Sequence, residues 1–150
     1  MEGEPVSAPA RAGDRRIAWI CRTAIVLAIV GVFGTWRNAG AVSLDGVQGP
    51  HDGWLVIIFA LIALAGVGAL SRGLWLGIVT DFGAAAVMIS TAVHDVLDDD
   101  DVLHGSSGWG VWLTVAASVV LAGCAVVVAV RRVRPAAAIV EPIRPQDTAG

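Results

Sequence analysis

The chain has 150 residues, of which 56% are hydrophobic and 15% charged, and its mean hydropathy is +0.74. Soluble globular domains carry about 25% charged residues, so this composition excludes an ordinary soluble enzyme. The formal net charge is −3, and all ten basic residues are arginine. A chain of this length with so many apolar residues leaves no room for a separate catalytic domain. Nothing in its charge pattern indicates a nucleic-acid partner.

The N-terminal segment, residues 1–16, is rich in Pro, Ala and Gly and is predicted to be a disordered cytoplasmic tail. It ends in Arg15-Arg16, directly before a long apolar run, as a secretory signal would. The apolar core of a signal peptide is usually about 7–15 residues long. Because this run is longer and Arg22 interrupts it, we interpret it as a retained membrane span.

Four apolar stretches follow one another between residues 17 and 130, and each is long enough to cross a bilayer as a helix. A helix needs about 20 residues to cross a hydrocarbon core about 30 Å thick. The stretches are residues 17–36, 54–71, 74–93 and 109–130. The sequence therefore predicts an all-α membrane protein, an antiparallel bundle of four transmembrane helices, without a cofactor.

All six tryptophans lie at or near the ends of these stretches. Tryptophan favours the membrane–water interface because its ring is apolar and its indole N–H prefers to stay hydrated. They are predicted to be interface anchors: Trp19, Trp36, Trp54, Trp75, Trp109 and Trp112.

The arginines predict the orientation of the bundle. Eight of them lie in the two tails and the short 71–73 turn, whereas the two longer loops contain Arg37 alone. Arginine near span ends marks the cytoplasmic side, so both termini are predicted to be cytoplasmic and the protein to lie in the plasma membrane. Residues 131–150 are predicted to form a basic, Pro-containing disordered tail. Its first arginines are candidates for binding anionic lipid: Arg131, Arg132 and Arg134.

The first outer loop contains turn and capping signals. Residues 41–44 are strand-like, and Asp45-Gly46 is a dipeptide typical of tight turns. Asp52 precedes the second span, where its carboxylate is predicted to accept hydrogen bonds from free helix N–H groups as an N-cap.

Three of these features together resemble a group of small four-span actinobacterial membrane proteins. They are a first span ending in Trp36, the segment Val-Ser-Leu-Asp-Gly at 42–46, and Asp52-Gly53-Trp54. The resemblance covers residues 30–75. It implies the four-span topology and no activity, because that group is largely without assigned function. Thr35 departs from the pattern, in which proline is common before the tryptophan.

Two charged residues lie inside the predicted spans. Arg22 and Asp81 are both about 8–10 Å from the cytoplasmic edge, at about 1.5 Å per helical residue. Equal depth predicts an ion pair between spans one and three. The alternative is that Arg22 snorkels to lipid phosphates while Asp81 is protonated or bonds a hydroxyl, with Thr114 and Ser118 as candidate partners.

Small residues recur at four-residue spacing in spans three and four, which lets helix backbones approach closely in lipid. The predicted helix-packing residues are Gly73, Gly77, Gly110 and Ala122. Cys21 and Cys124 are predicted to pack as small apolar side chains rather than to form a disulfide, because the cytoplasmic side is reducing.

The second outer loop carries Asp98–Asp101 between His94 and His104. Their spacing fits no calcium loop, so we assign no metal site and interpret the run as a solvated acidic surface. The leading functional hypothesis is a non-enzymatic, accessory or envelope-associated protein with a membrane or envelope protein partner. The alternatives are a small transporter or channel component that uses Asp81, and an outer-face divalent-cation sensor.

Overall fold

The computed structural model describes residues 12–39, 42–47, 52–97 and 106–137. Their elements are four helices and three short strands. In chain order these are α1 (Ala12–Val32), β1 (Thr35–Ala39), β2 (Val42–Asp45), α2 (Gly53–Ser71), α3 (Trp75–Leu97), β3 (Ser106–Ser107) and α4 (Trp109–Ala137).

Three of the helices are long and apolar enough to cross a membrane: residues 53–71, 75–97 and 109–133. Three of the four predicted spans are thus confirmed in length and composition. The helix of the fourth, α1, contains Arg15, Arg16 and Arg22 and ends at Val32. The apolar part of α1 therefore begins only after Arg16, ends at Val32 and is interrupted by Arg22, which makes it shorter than the other three.

The side chains are distributed in the reverse of a soluble protein. Ile58, Leu61, Leu76 and Val79 are 50–67% exposed on the outside of α2 and α3. The buried faces carry mainly small residues, as on α2: Gly53, Val56, Ala60, Ala63 and Val67. These alternate at spacings of three and four, the repeat of helices that pack side by side. Large apolar groups outside and small ones inside are the arrangement expected of helices in lipid.

The helices pack in a ring. α1 contacts α2 and α4, and α3 contacts the same two helices from the other side. The helix backbones approach each other closely at two crossings of the ring. A Cβ on Gly77 of α3 would lie 2.6 Å from the carbonyl oxygen of Gly66 on α2, and a Cβ on Gly110 of α4 would lie 2.5 Å from that of Gly31 on α1.

The two ends of the ring differ. At one end, which we call the turn end, α2 and α3 are joined by Arg72-Gly73-Leu74, and α1 begins where α4 ends. At the other, the sheet end, β1 lies between β2 and β3 in an antiparallel sheet. The strand predicted at residues 41–44 is observed as β2 at Val42–Asp45.

Several predicted boundaries are corrected. The first span does not remain helical to Trp36, because α1 ends at Val32 and the chain turns at Gly34 into β1. Both predicted tails lose residues to helix: 12–16 belong to α1 and 131–137 to α4. Arginine and alanine are strong helix formers, so both helices continue beyond their apolar segments. The rest of the two tails lies outside the described residues.

Candidate functional site

Asp81 is a buried carboxyl at the crossing of α2 and α3. Its side chain is 1% exposed, and it occupies the space beside Gly66 that a Cβ there would fill. Gly77, one turn earlier on α3, brings the two backbones close enough for this contact. Neither carboxyl oxygen has a hydrogen-bond partner among the described residues. A buried polar group of this kind is costly, and in a membrane helix it is a candidate functional group.

The predicted partners of Asp81 do not reach it. Arg22 is exposed on α1, because it follows the buried Cys21 and adjacent helical residues point about 100° apart. The two hydroxyls donate to backbone carbonyls instead: Thr114 Oγ1 to Gly110 (3.0 Å) and Ala28 of α1 (3.4 Å), and Ser118 Oγ to Thr114 (2.8 Å). The predicted ion pair between Arg22 and Asp81 and the predicted hydroxyl bond to Asp81 are therefore both wrong.

Cys21 on α1 is near enough to interact with Cys124 on α4 and with Asp81 on α3. Both cysteines are free, Cys21 is buried and Cys124 half-buried. The two cysteine side chains interact across α1 and α4, and Asp81 is near enough to act on Cys21 electrostatically. We call Cys21, Asp81 and Cys124 the polar layer. The described residues include no group of three His, Cys, Asp or Glu side chains placed to hold a metal ion.

Trp36 locks the sheet end onto the helices. The Trp36 side chain is fully buried, and its Nε1 donates to the Gly31 carbonyl of α1 at 2.9 Å. Gly46 lies against the ring, where a Cβ would come within 2.5 Å of it. Trp36 is therefore a core residue and not an interface anchor. The other five tryptophans are 53–68% exposed, as anchors would be.

Gly46 joins two helix ends through its backbone. Its N–H donates to the Val32 carbonyl at the end of α1 (2.8 Å), and its carbonyl accepts from Gly53 N–H at the start of α2 (3.0 Å). On the other side of β1, Gly108 N–H donates to the Trp36 carbonyl at 2.7 Å. The sheet end is therefore a folded cap that ties α1, α2 and α4 together.

The acids at the sheet end have separate roles. Asp45 accepts from the Val47 N–H at 3.0 Å, which closes the predicted turn at 45–46. Asp52 precedes α2, but its side chain makes no capping bond, so that prediction is wrong. Arg37 of β1 donates to the Asp95 carbonyl of α3 at 2.6 Å. Residues 98–105, which include Asp98–Asp101, lie outside the described part of the chain, as does His51.

At the turn end, sequence reasoning missed the role of Arg132. Its two terminal nitrogens donate to the carbonyls of Gly73 (3.0 Å) and Leu70 (3.2 Å), where α2 ends. A cation is favoured beside carbonyls at the end of a helix, and Arg132 adds to the bond that the Leu70 carbonyl already accepts from the Gly73 N–H at 3.0 Å. The arginine cluster in the sequence could have suggested such a cap, but not which helix it serves. Arg131 is exposed, and the side chain of Arg134 lies outside the description.

The predicted packing residues fall into two groups. Gly77 and Gly110 lie at close helix crossings, and Ala122 is half-buried against the core. Gly73 is corrected: its φ is +79°, and nothing lies within 4 Å of a Cβ there. It serves the turn between α2 and α3, where left-handed backbone favours glycine.

Comparisons with protein-family models, with curated proteins and with solved structures found no match.

Proposed function

We propose that this chain is a four-span plasma-membrane protein without enzymatic activity, with both termini in the cytoplasm. On this proposal, the sheet end lies outside and binds a protein of the membrane or envelope. The observation that carries the proposal is the contrast between the two ends. One end is a folded cap rich in aspartate, and the other is a short turn surrounded by arginines.

The contacts of α1 support its role as the fourth span. α1 runs beside α4 over the length of the apolar segment. At the turn end, Gly13 lies beside Arg131, and at the sheet end, Gly34 lies against Trp109. α4 is long enough to cross a membrane, and α1 runs along it between these two contacts. We therefore expect α1 to cross the same thickness. Arg22, exposed nearer the turn end, can extend its guanidinium to the phosphates along an apolar stem.

The charges support the orientation. The structure describes Arg15, Arg16, Arg72, Arg131 and Arg132 at the turn end. At the sheet end it describes one arginine, Arg37, with three aspartates. Arginines are retained on the cytoplasmic side during insertion, which puts the turn end inside.

The cap supports a binding role. β2 is an edge strand of the described sheet, and Val42 on it is 58% exposed. Exposed edge strands can pair with an extended segment of another chain. Because the cap is tied to three helices, such a partner would meet a rigid surface with acidic groups beside it.

Site-directed cysteine labelling tests the orientation. Ser43 in β2 and Ser71 at the end of α2 are both exposed, and each is replaced by cysteine in a Cys21→Ala/Cys124→Ala background. We expect an impermeant maleimide to label Ser43→Cys in intact cells and Ser71→Cys only after permeabilisation. Labelling of both positions from the same side would refute the four-span proposal.

Photo-crosslinking in cells tests the binding role. A photoreactive residue at Val42 is expected to give a discrete protein adduct. The same residue at Leu76, which is 67% exposed on the apolar surface, is the control and should give none. The adduct from Val42 should weaken when Asp98–Asp101 are changed to asparagine. If Val42 gives no adduct, the sheet end has no protein partner under those conditions and the binding role is rejected.

A second candidate function is proton- or ion-coupled transport through Asp81. The specific observation in its favour is a buried carboxyl without a hydrogen-bond partner among the described residues. In proteoliposomes with an internal pH dye, Asp81→Asn should abolish a flux that the native protein supports. The matched control, Thr80→Val, alters the neighbouring side chain, which bonds only its own helix at the Leu76 carbonyl. Absence of flux in the native protein would remove this candidate.

A further inference from the structure

A groove about 350 Å³ in volume runs between α1 and α4 on the outside of the ring. Its walls are apolar, apart from the Thr23 hydroxyl and the indole N–H of Trp19. On α1 it extends from Trp19 to Leu27, and on α4 from Leu113 to Val120. At about 1.5 Å per residue, it is about 10–12 Å long.

Two exposed arginines stand at the turn end of this groove. Arg16 lies on the groove face of α1, four residues before Ile20 and seven before Thr23. Arg131 lies on the groove face of α4, eleven residues after Val120. Arg131 also reaches towards α1, because its Nη1 is 3.3 Å from the position of a Cβ on Gly13. Both arginines therefore lie beyond the turn end of the groove, Arg16 about 5 Å along α1 from Trp19 and Arg131 about 16 Å along α4 from Val120.

The α1 wall of the groove has the depth of one leaflet. From Arg16 to Leu27 the helix rises about 17 Å, at about 1.5 Å per residue. Half of a hydrocarbon core about 30 Å thick is about 15 Å. Arginines at the headgroup level would thus place the α1 wall among the acyl chains of the same leaflet, whereas the α4 wall, which ends at Leu113 about 27 Å from Arg131, extends past the middle of the bilayer.

We propose that the α1–α4 groove binds an anionic phospholipid of the cytoplasmic leaflet. Arg16 and Arg131 hold its phosphate, and an acyl chain lies in the groove between Thr23 and Ala116. The site rests on the proposed topology, in which α1 crosses the membrane and the turn end is inside. A second copy of this chain fits the groove less well, because two facing copies would bring four arginines together.

A second groove provides an internal comparison. It lies between α3 and α4, is lined by Phe82 and Gly83 among others, and has a volume of about 370 Å³. On the same face of α4, seven residues after Ala125 and three after Ala129, lies Arg132, whose terminal nitrogens already donate to Leu70 and Gly73. We expect this groove to accept acyl chains without a preference for the headgroup.

Native mass spectrometry of the full chain in detergent tests the site, with equal amounts of phosphatidylglycerol and phosphatidylcholine as the probes. The native protein should retain phosphatidylglycerol preferentially. A guanidinium near an anionic headgroup contributes about a five-fold gain in affinity. Arg16→Gln/Arg131→Gln should therefore lower phosphatidylglycerol binding by up to about 25-fold. The matched control, Arg15→Gln/Arg72→Gln, removes two arginines from the same end and should keep the preference.

Filling the groove tests the acyl-chain contact. Ala116→Phe should reduce retention of both lipids, whereas Val119→Phe, on an exposed part of the same helix, should not. Equal retention of the two lipids by the native protein would overturn the proposal. So would equal losses in the two arginine double variants, or protein dimers that disappear in Ala116→Phe. Because lipid retention in detergent does not depend on orientation, the labelling of Ser43 and Ser71 tests the topology separately.

Discussion

Trp36 shows how far the position of one residue can mislead. It ends an apolar run, as an interface tryptophan would, but its ring is buried under Gly46 and its indole bonds the Gly31 carbonyl. Trp36→Phe removes that bond and part of a packed ring, so we expect a loss of about 1–3 kcal/mol in the free energy of unfolding. Denaturation in detergent measures it. Trp19→Phe, at a side chain that is 68% exposed, is the control and should cause little change.

Two glycines of α3 should respond in opposite directions to alanine. At Gly77 a Cβ would lie 2.6 Å from backbone atoms of α2, so Gly77→Ala must push the helices apart, at a cost of about 1–3 kcal/mol. At Gly83 nothing lies within 4 Å, and Gly83→Ala should gain up to about 1 kcal/mol from helix propensity. Melting temperatures of the two variants in one detergent compare them. Similar shifts would contradict the crossing at Gly77.

The carboxyl oxygens of Asp81 make no hydrogen bond to the described residues, although the side chain is packed at the crossing of α2 and α3. Asp81→Asn keeps the shape of the side chain and breaks no hydrogen bond to the described residues. We therefore expect the melting temperature at neutral pH to stay the same or rise. A clear fall would show that the carboxyl has a structural partner. An Asp81→Asn variant that is stable but has lost ion flux would instead favour the transport candidate, since functional groups are often retained at a cost in stability.

At the scale of elements, the ends of the helices determine how the ring holds together. The sheet end joins α1, α2 and α4 through backbone bonds of Gly46 and Gly108. Among the described residues, the Arg132 side chain joins α2 and α4 by hydrogen bonds at the turn end. The sheet end is thus joined largely by backbone bonds, whereas the turn end is joined by a cationic side chain.

Arg132→Gln is the corresponding test at the turn end. Glutamine is too short to reach both carbonyls, so Leu70 and Gly73 should lose these bonds, at a cost of about 0.5–1.5 kcal/mol. The loss should appear as faster hydrogen exchange near residues 70–74. Arg72→Gln removes an exposed charge from the same turn and should leave exchange unchanged. Equal effects would mean that charge alone, and not capping, stabilises the turn.

At the scale of the whole molecule, the separation of charge between the two ends should control insertion. Asp98→Arg/Asp100→Arg puts two arginines in the predicted outer loop, which opposes the bias of the native chain. We expect less protein in the membrane and a smaller fraction of Ser43→Cys labelled from outside. Asp98→Asn/Asp100→Asn removes the same acids without adding cations, and acids contribute little to orientation, so labelling should persist. Equal loss in both variants would contradict the arginine rule here.

The sequence by itself determined the properties that depend on position along the chain. Three helices long and apolar enough to span a membrane, a strand near residues 41–44 and the segregation of arginine follow from runs of hydropathy and charge, which need no knowledge of packing. The bundle with both termini inside remains a prediction built on the same signals.

Only the tertiary structure decided which way each side chain points. Arg22 and Asp81 were paired by depth, yet depth says nothing about the rotation of a helix about its axis. A step of one residue along a helix turns the side-chain direction by about 100°, so Cys21 points into the ring and Arg22 points outward. The same reason separates Arg132, which donates to the end of α2, from the exposed Arg131. These distinctions arise where helices distant in sequence meet, and that information exists only once the chain has packed.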